Sequence, residues 1–288
     1  MRDYVIYTDS GCDLSPALLA EWGIPYKSLT FRFDGEEKEY DNGEMDIKKF
    51  YDKMRKGGVA KTAAVNKETF AIAFRELLSA DKDILYIGFS SGLSTTYNSA
   101  RLAAMELREE YPDAKILTVD TLAASAGQGL LVYLAKKKKA EGASIEDCAA
   151  YLEEIKLNMC HWFTVDDLVY LKRGGRVSST AAFFGNALGI KPVMHVDNEG
   201  HLVNVMKVRG RRTAISTMAD KLGETALDLQ NGVIYISHGD CLADAELLAD
   251  MIADKFGGHV ELITDVGAVI GAHSGPGTLA LFFLGKER

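Results

Sequence analysis

Three short runs in the first half of the chain constrain the fold most: "YVIYT" at 4–8, "DILYIGF" at 83–89 and "KILTVDT" at 115–121. Each is a near-continuous apolar, β-branched stretch, the pattern of a strand buried on both faces. Helical signals separate them. Ser15 followed by Pro16 reads as an N-cap with proline at the first helical position. Asp46 caps "DIKKFYDKMRKGG", which stops at Gly57-Gly58, and a further helix starts near Asn66. Helices over about 95–110 and 123–141 flank the third run. Repeated βα units of this length predict a parallel, doubly wound sheet. The alternating "YKSLTFRF" before Asp34-Gly35 predicts a hairpin or edge strand.

The pattern changes after the helix "SIEDCAAYLEEIKLN", where Ser144 and Asp147 have capping-box spacing. "CHWFTV" reads as a strand and "DDLVYLKRGGRVS" as a short helix ending in glycines. "KPVMHV" and "LVNVMKV" form a hairpin through "DNEG". The strand "GVIYISHG", the helix "ADAELLADMIADKFGG" and the strands "VELITDV" and "TLALFFLG" follow. The expected division is a Rossmann-like α/β domain over 1–157 and an α+β domain with a mixed or antiparallel sheet over 158–288.

A formal net charge of −8 over 288 residues argues against a nucleic-acid or anionic-membrane binder, which would need a basic field. Cys12, Cys148, Cys160 and Cys241 are scattered without a C-x-x-C pair, as expected of a reduced cytoplasmic protein. The opening "MRDYVIYTDSG" reads directly into a strand, with no signal-peptide apolar stretch. No apolar run reaches the roughly 18 residues of a membrane span. The expectation is a soluble, cytoplasmic protein without integral membrane association.

Candidate site residues gather in turns. "GFSSGLSTTYNSA" at 88–100 carries Ser90, Ser91, Ser94, Thr95, Thr96 and Ser99, yet no Lys, His, Asp or Glu to make any of them nucleophilic. A strand-to-helix turn presents backbone N–H groups and the positive end of a helix dipole, which suits an anion or a carboxylate. Ordinary capping accounts for one or two of these hydroxyls. No Walker lysine, G-x-G-x-x-G or G-x-S-x-G pattern is present. Thr62 in "AKTAAVN" reads as a loop hydroxyl before a helix. His273 in "GAHSGPG" reads as a loop histidine held among small residues, titrating near neutrality unless its site shifts it. "TDSGCD", with Asp9 and Asp13, lacks calcium-loop spacing and reads as a strand-end turn in which an aspartate orients neighbouring hydroxyls. The six histidines are dispersed, so no metal site is expected. "LKRGGRV" and "KVRGRR" concentrate Arg173, Arg176 and Arg209 with other basic residues, a solvated face or a docking surface for an acidic or phosphorylated partner.

In order along the chain, "TDSGCDLS", "KTAAVN", "SSGLSTTYNSA", "VDTLAASAGQG", "LKRGGRVS", "LGIKPV", "KVRGRR" and "HSGPG" resemble the DegV family of fatty-acid-binding proteins over nearly the whole length. The resemblance implies a two-domain, non-catalytic carrier that buries one long-chain fatty acid as its ligand, with no other cofactor. It implies a carboxyl group held by Thr62, Ser94 and His273, with Ser91, Thr95 and Thr96 as additional head-group contacts. It also allows a partner, a fatty-acid kinase of the dihydroxyacetone-kinase-like type, with Arg173, Arg176 and Arg209 as the residues that would dock it or meet the phosphate. Two departures stand out. Thr95 replaces the family's usual glycine, and "TAAV" replaces a more polar, proline-containing loop around Thr62. Two other readings stay open: a binding module for a phosphorylated metabolite at the same helix N-terminus, and a hydrolase using Ser94 with His273 as base. The apolar "TAAFFGNALGI" at 180–190 is a candidate tunnel wall or plain core.

Overall fold

The computed structural model describes residues 2–177 and 189–288; most of "TAAFFGNALGI" lies outside them. The three buried runs are β1 (Tyr4–Asp9), β6 (Asp83–Gly88) and β7 (Ile116–Asp120). With the two-residue β2 (Tyr26–Lys27) they form a parallel sheet of order β2-β1-β6-β7. Its helices are α1 (Pro16–Glu21), α3 (Lys67–Ser79), α4 (Thr96–Glu110), α5 (Ala126–Ala140) and α6 (Ile145–Ile155). Local chemistry sets their starts: Ser15, Asn66 and Ser144 each accept a bond from the backbone N–H three residues on.

"YKSLTFRF" is not one strand. Its first residues join the parallel sheet as β2, while Thr30–Phe33 becomes β3 of a separate antiparallel sheet, order β4-β3-β5, with β4 at Tyr40–Asp41 and β5 at Ala60–Ala63. The split allows Phe31 and Phe33 to pack on Phe50 of α2 (Ile47–Arg55). Because Ala60–Ala63 pairs with β3, Thr62 lies in a strand opposite Phe31, not in a loop at a helix start.

The six-stranded sheet has order β10-β9-β8-β13-β11-β12; among its described strands only β11 and β12 pair in parallel. Its strands are β8 (Met159–Thr164), β9 (Ile190–Val196), β10 (Leu202–Arg209), β11 (Ile234–His238), β12 (Val260–Asp265) and β13 (Leu279–Leu284). One face packs on α8 (Arg211–Thr225) and α9 (Leu242–Phe256) through Ile215, Met218, Leu248 and Ile252. The other face meets α5, whose Leu130, Leu131 and Val132 are all fully buried, as a helix held between two sheets must be. Among the described residues there are also two short helices, α7 (Val169–Gly174) and α10 (Ala268–Ser274). His273 therefore sits in the last turn of a helix and not in a loop. Val269 N donates to Asn42 Oδ1, and Tyr51 Oη donates to Val266 O just ahead of α10; these distant contacts help hold a helix with three glycines among its residues and caps.

Candidate functional site

A cavity of about 510 Å³ opens beyond the C-terminal ends of the parallel strands, the usual ligand position in an open α/β sheet. One side is the turn after β6, one is Thr62–Ala64, one is α10, and the far wall is the six-stranded sheet. Its polar end is partly exposed, with Thr62, Ser91, Ser94, Thr95, Arg176 and His273. Its other end is buried, with Phe163, Ala280 and Phe282.

The serine-rich turn is held rigidly from behind. Asp9, fully buried, accepts from Tyr86 Oη at 2.6 Å, Phe89 N at 3.0 Å and Gly11 N at 2.9 Å. Burial raises its pKa against these hydrogen bonds. Asp120 Oδ1 accepts from Ser91 N and Leu122 N. Ser90 Oγ donates to Gly200 O at 3.0 Å, tying the turn to the β9–β10 hairpin. Local turn bonds account for Ser90, which accepts from Gly92 N, and for Ser94, which accepts from Thr96 N; the N-cap of α4, Thr95, makes no side-chain cap bond. Such bonds do not account for Ser91 or Thr95, which line the cavity.

Thr62 Oγ1 and His273 Nε2 are 2.8 Å apart, joining β5 to α10 across 211 residues of sequence. Burial, with Arg176 nearby, pushes the His273 imidazole down to about 4, so it is neutral at neutral pH and does not titrate near 7. The cation at this end is Arg176, which donates from Nε to Leu93 O at 3.2 Å and from Nη1 to Gly174 O. Ser94 Oγ is engaged with Thr96 Oγ1 at 2.9 Å, and His273 with Thr62. The geometry gives Ser94 no imidazole partner, as a hydrolytic pair would require.

Thr62, Ser91, Ser94, Thr95, Arg176 and His273 thus meet on one cavity. Three expected residues do not. Thr96 is fully buried behind Ser94; Arg173 stacks on the Tyr170 ring; Arg209 is exposed at the end of β10. The wall also contains Ser125 and Ser274, which lie within the "VDTLAASAGQG" and "HSGPG" motifs, and Ser237 and His161, which carried no distinguishing sequence signal. Among the described residues, no cluster of three or more His, Cys, Asp or Glu could hold a metal, and no helix is long and apolar enough to cross a membrane.

Residues 3–286 match the family described as "Uncharacterised protein, DegV family". A DegV domain-containing protein of Clostridium perfringens is 45% identical over 290 residues, covering 100% of this chain and 99% of that one. A structure described as fatty acid binding of a DegV family protein from Thermus thermophilus superposes with TM-score 0.87 at 31% identity, covering 99% of this chain and 100% of that one. DegV of Bacillus subtilis, described as a fatty acid binding protein, superposes with TM-score 0.85 at 30% identity over the same shares. The family match over residues 3–286 and the 45% identical relative agree: the chain belongs to the DegV family.

Proposed function

We propose that this protein binds one long-chain fatty acid and carries it without transforming it. The carrying observation is the cavity itself, with hydroxyls, an imidazole and Arg176 at its exposed end and aliphatic and aromatic walls at its buried end. In this reading the carboxylate lies at Thr62, Ser94 and His273, with Ser91 and Thr95 beside it. The neutral His273 contributes a hydrogen bond, and Arg176 contributes the charge. A charge-assisted hydrogen bond is worth roughly 1.5–3 kcal/mol. A dozen buried methylenes at about 0.8 kcal/mol each offer on the order of 10 kcal/mol before association costs. The tail therefore supplies most of the affinity, and the polar end fixes direction.

The hydroxyls need no activating base in this role, because they are donors to an anion. A mass spectrum of an organic-solvent extract from freshly purified protein is the direct test, repeated with Thr62→Ala and Ser94→Ala. A stoichiometric fatty acid, reduced in both variants, is expected. Full retention in the variants would move the head-group site, and no lipid from any preparation would favour a phosphorylated metabolite.

A second step is presentation of the bound acid to a fatty-acid kinase, with exposed Arg173 and Arg209 as docking residues. Arg176 belongs to the cavity and so would act on the ligand itself. Arg173→Ala with Arg209→Ala should slow kinase-dependent turnover and leave lipid binding intact; unchanged turnover would remove this role from them.

A further inference from the structure

Two loops support the serine-rich turn, and both lead back to one side chain. The first is the loop between β7 and α5. Ala123 O accepts from Ser90 N at 2.9 Å, and Asp120 Oδ1 accepts from Ser91 N and from Leu122 N. Leu122 holds φ +49°, a left-handed state that a leucine keeps only where its surroundings impose it. The second is the β9–β10 hairpin. Gly200 O accepts from Ser90 Oγ, and Gly200 N donates to Asp197 O at 3.0 Å. Arg288 reaches both loops. Its Nη1 donates to Leu122 O and to Asp197 O, each at 2.9 Å. Its Nε donates to Met159 O at 3.1 Å and its Nη2 to Lys156 O, which ties it to the chain leading into β8. Burial lowers its pKa to about 10, which leaves it protonated at neutral pH. A planar fork of five donors can span carbonyls from three separate segments, whereas the single nitrogen of a lysine cannot. Arg288 itself is not among the residues that line the cavity.

We propose that Arg288 is a positioning residue for the head-group end of the cavity: it does not meet the ligand, and it fixes the two loops on which Ser90 and Ser91 rest. This rests on the fatty-acid reading above, with the carboxylate at the serine-rich turn.

The test compares hexadecanoic acid with hexadecanol, which share a tail and differ in head group, on delipidated full-length protein. Wild type should prefer the acid. Arg288→Met and Arg288→Lys should each narrow that preference about tenfold through weaker acid binding, with the affinity for the alcohol unchanged. A merely structural role would weaken acid and alcohol alike or leave both alone, and either result overturns the proposal. Arg288→Lys keeps the charge, so a full preference there beside a loss in Arg288→Met would make Arg288 a distant charge and overturn positioning. It is also the milder change, and it decides the test alone if Arg288→Met does not fold. Failure of both variants to fold would assign Arg288 to folding and overturn the proposal as well. Each of these outcomes leaves fatty-acid binding standing. A wild type that does not prefer the acid overturns the head-group assignment and this proposal with it, and one that binds neither compound overturns the fatty-acid reading too.

Discussion

His273 is neutral beside a guanidinium, and this has a measurable sign. Its folded value is near 4 against an ordinary 6.5, so the stability it contributes is complete above 6.5 and is lost as pH falls through 4. His195, pushed down to about 4 by burial, acts in the same direction, and Asp13, raised to about 7, acts in the opposite one. The total pH profile therefore mixes terms, and a difference isolates one. His273→Asn should gain stability relative to wild type on acidification from pH 6.5 to 4, by on the order of a few kcal/mol. Urea unfolding at each pH reads it, and parallel curves would mean that the imidazole titrates normally. At this scale the sequence was informative about residue type and poor about direction. Thr62, Ser94 and His273 stood out in turn-like motifs and do share the cavity. Thr96 carries the same hydroxyl but faces inward, because helix phase, not chemistry, decides which side it presents. Ser237 and His161 lie in strands that read as core, where one polar residue looks incidental.

Between elements, the decisive contact is the one that joins the serine-rich turn to the β9–β10 hairpin. Gly200 has φ +80°, and a Cβ there would stand 2.2 Å from Ser90 Oγ. Gly200→Ala is thus doubly disfavoured, by backbone conformation and by collision. We expect a loss of about 1–3 kcal/mol in stability and weaker ligand binding, since the turn that bears Ser91 and Ser94 must shift. Calorimetry on the delipidated variant separates the two effects, and an unchanged ligand affinity would show that the turn keeps its shape without the hairpin. Elements with local signals were legible. The buried strands β1, β6 and β7 show in their apolar runs, and α1, α2, α3 and α6 start at the capping residues the sequence marks. Elements made by distant partners were not. β5 exists because β3 pairs with it, and α10 is short and glycine-containing. α8 was obscured by the arginines at its start, although Ala214, Ile215, Met218, Ala219 and Leu222 carry helical spacing.

The whole molecule raises the question of whether two sheets mean two folding units. The parallel sheet draws its strands from residues 4–120 and the six-stranded sheet from 159–284, a separation consistent with two domains. The core does not respect that separation. One continuous cluster runs from Ile6 and Leu85 through Leu130 and Leu131 of α5 to Phe163, Tyr235 and Phe282. Gly127 of α5 approaches the second sheet so closely that a Cβ would fall 2.5 Å from His161 Nε2. A helix whose burial depends on both sheets cannot stay packed when either melts, so the chain should unfold in a single cooperative transition. Its two tryptophans offer separate reporters. Trp22 packs on Tyr133 at the first sheet's side, and Trp162 lies in β8 of the second. With Trp22→Phe and Trp162→Phe as single-tryptophan proteins, each normalised to its own circular-dichroism midpoint, fluorescence and circular dichroism should coincide in both. A fluorescence midpoint that precedes the circular-dichroism one in either variant would mean that its half opens alone. The cavity wall would then be able to part between the sheets, and ligand entry could proceed by their separation. Coincidence would confine entry to motions of the partly exposed end, around Arg176 and the serine-rich turn.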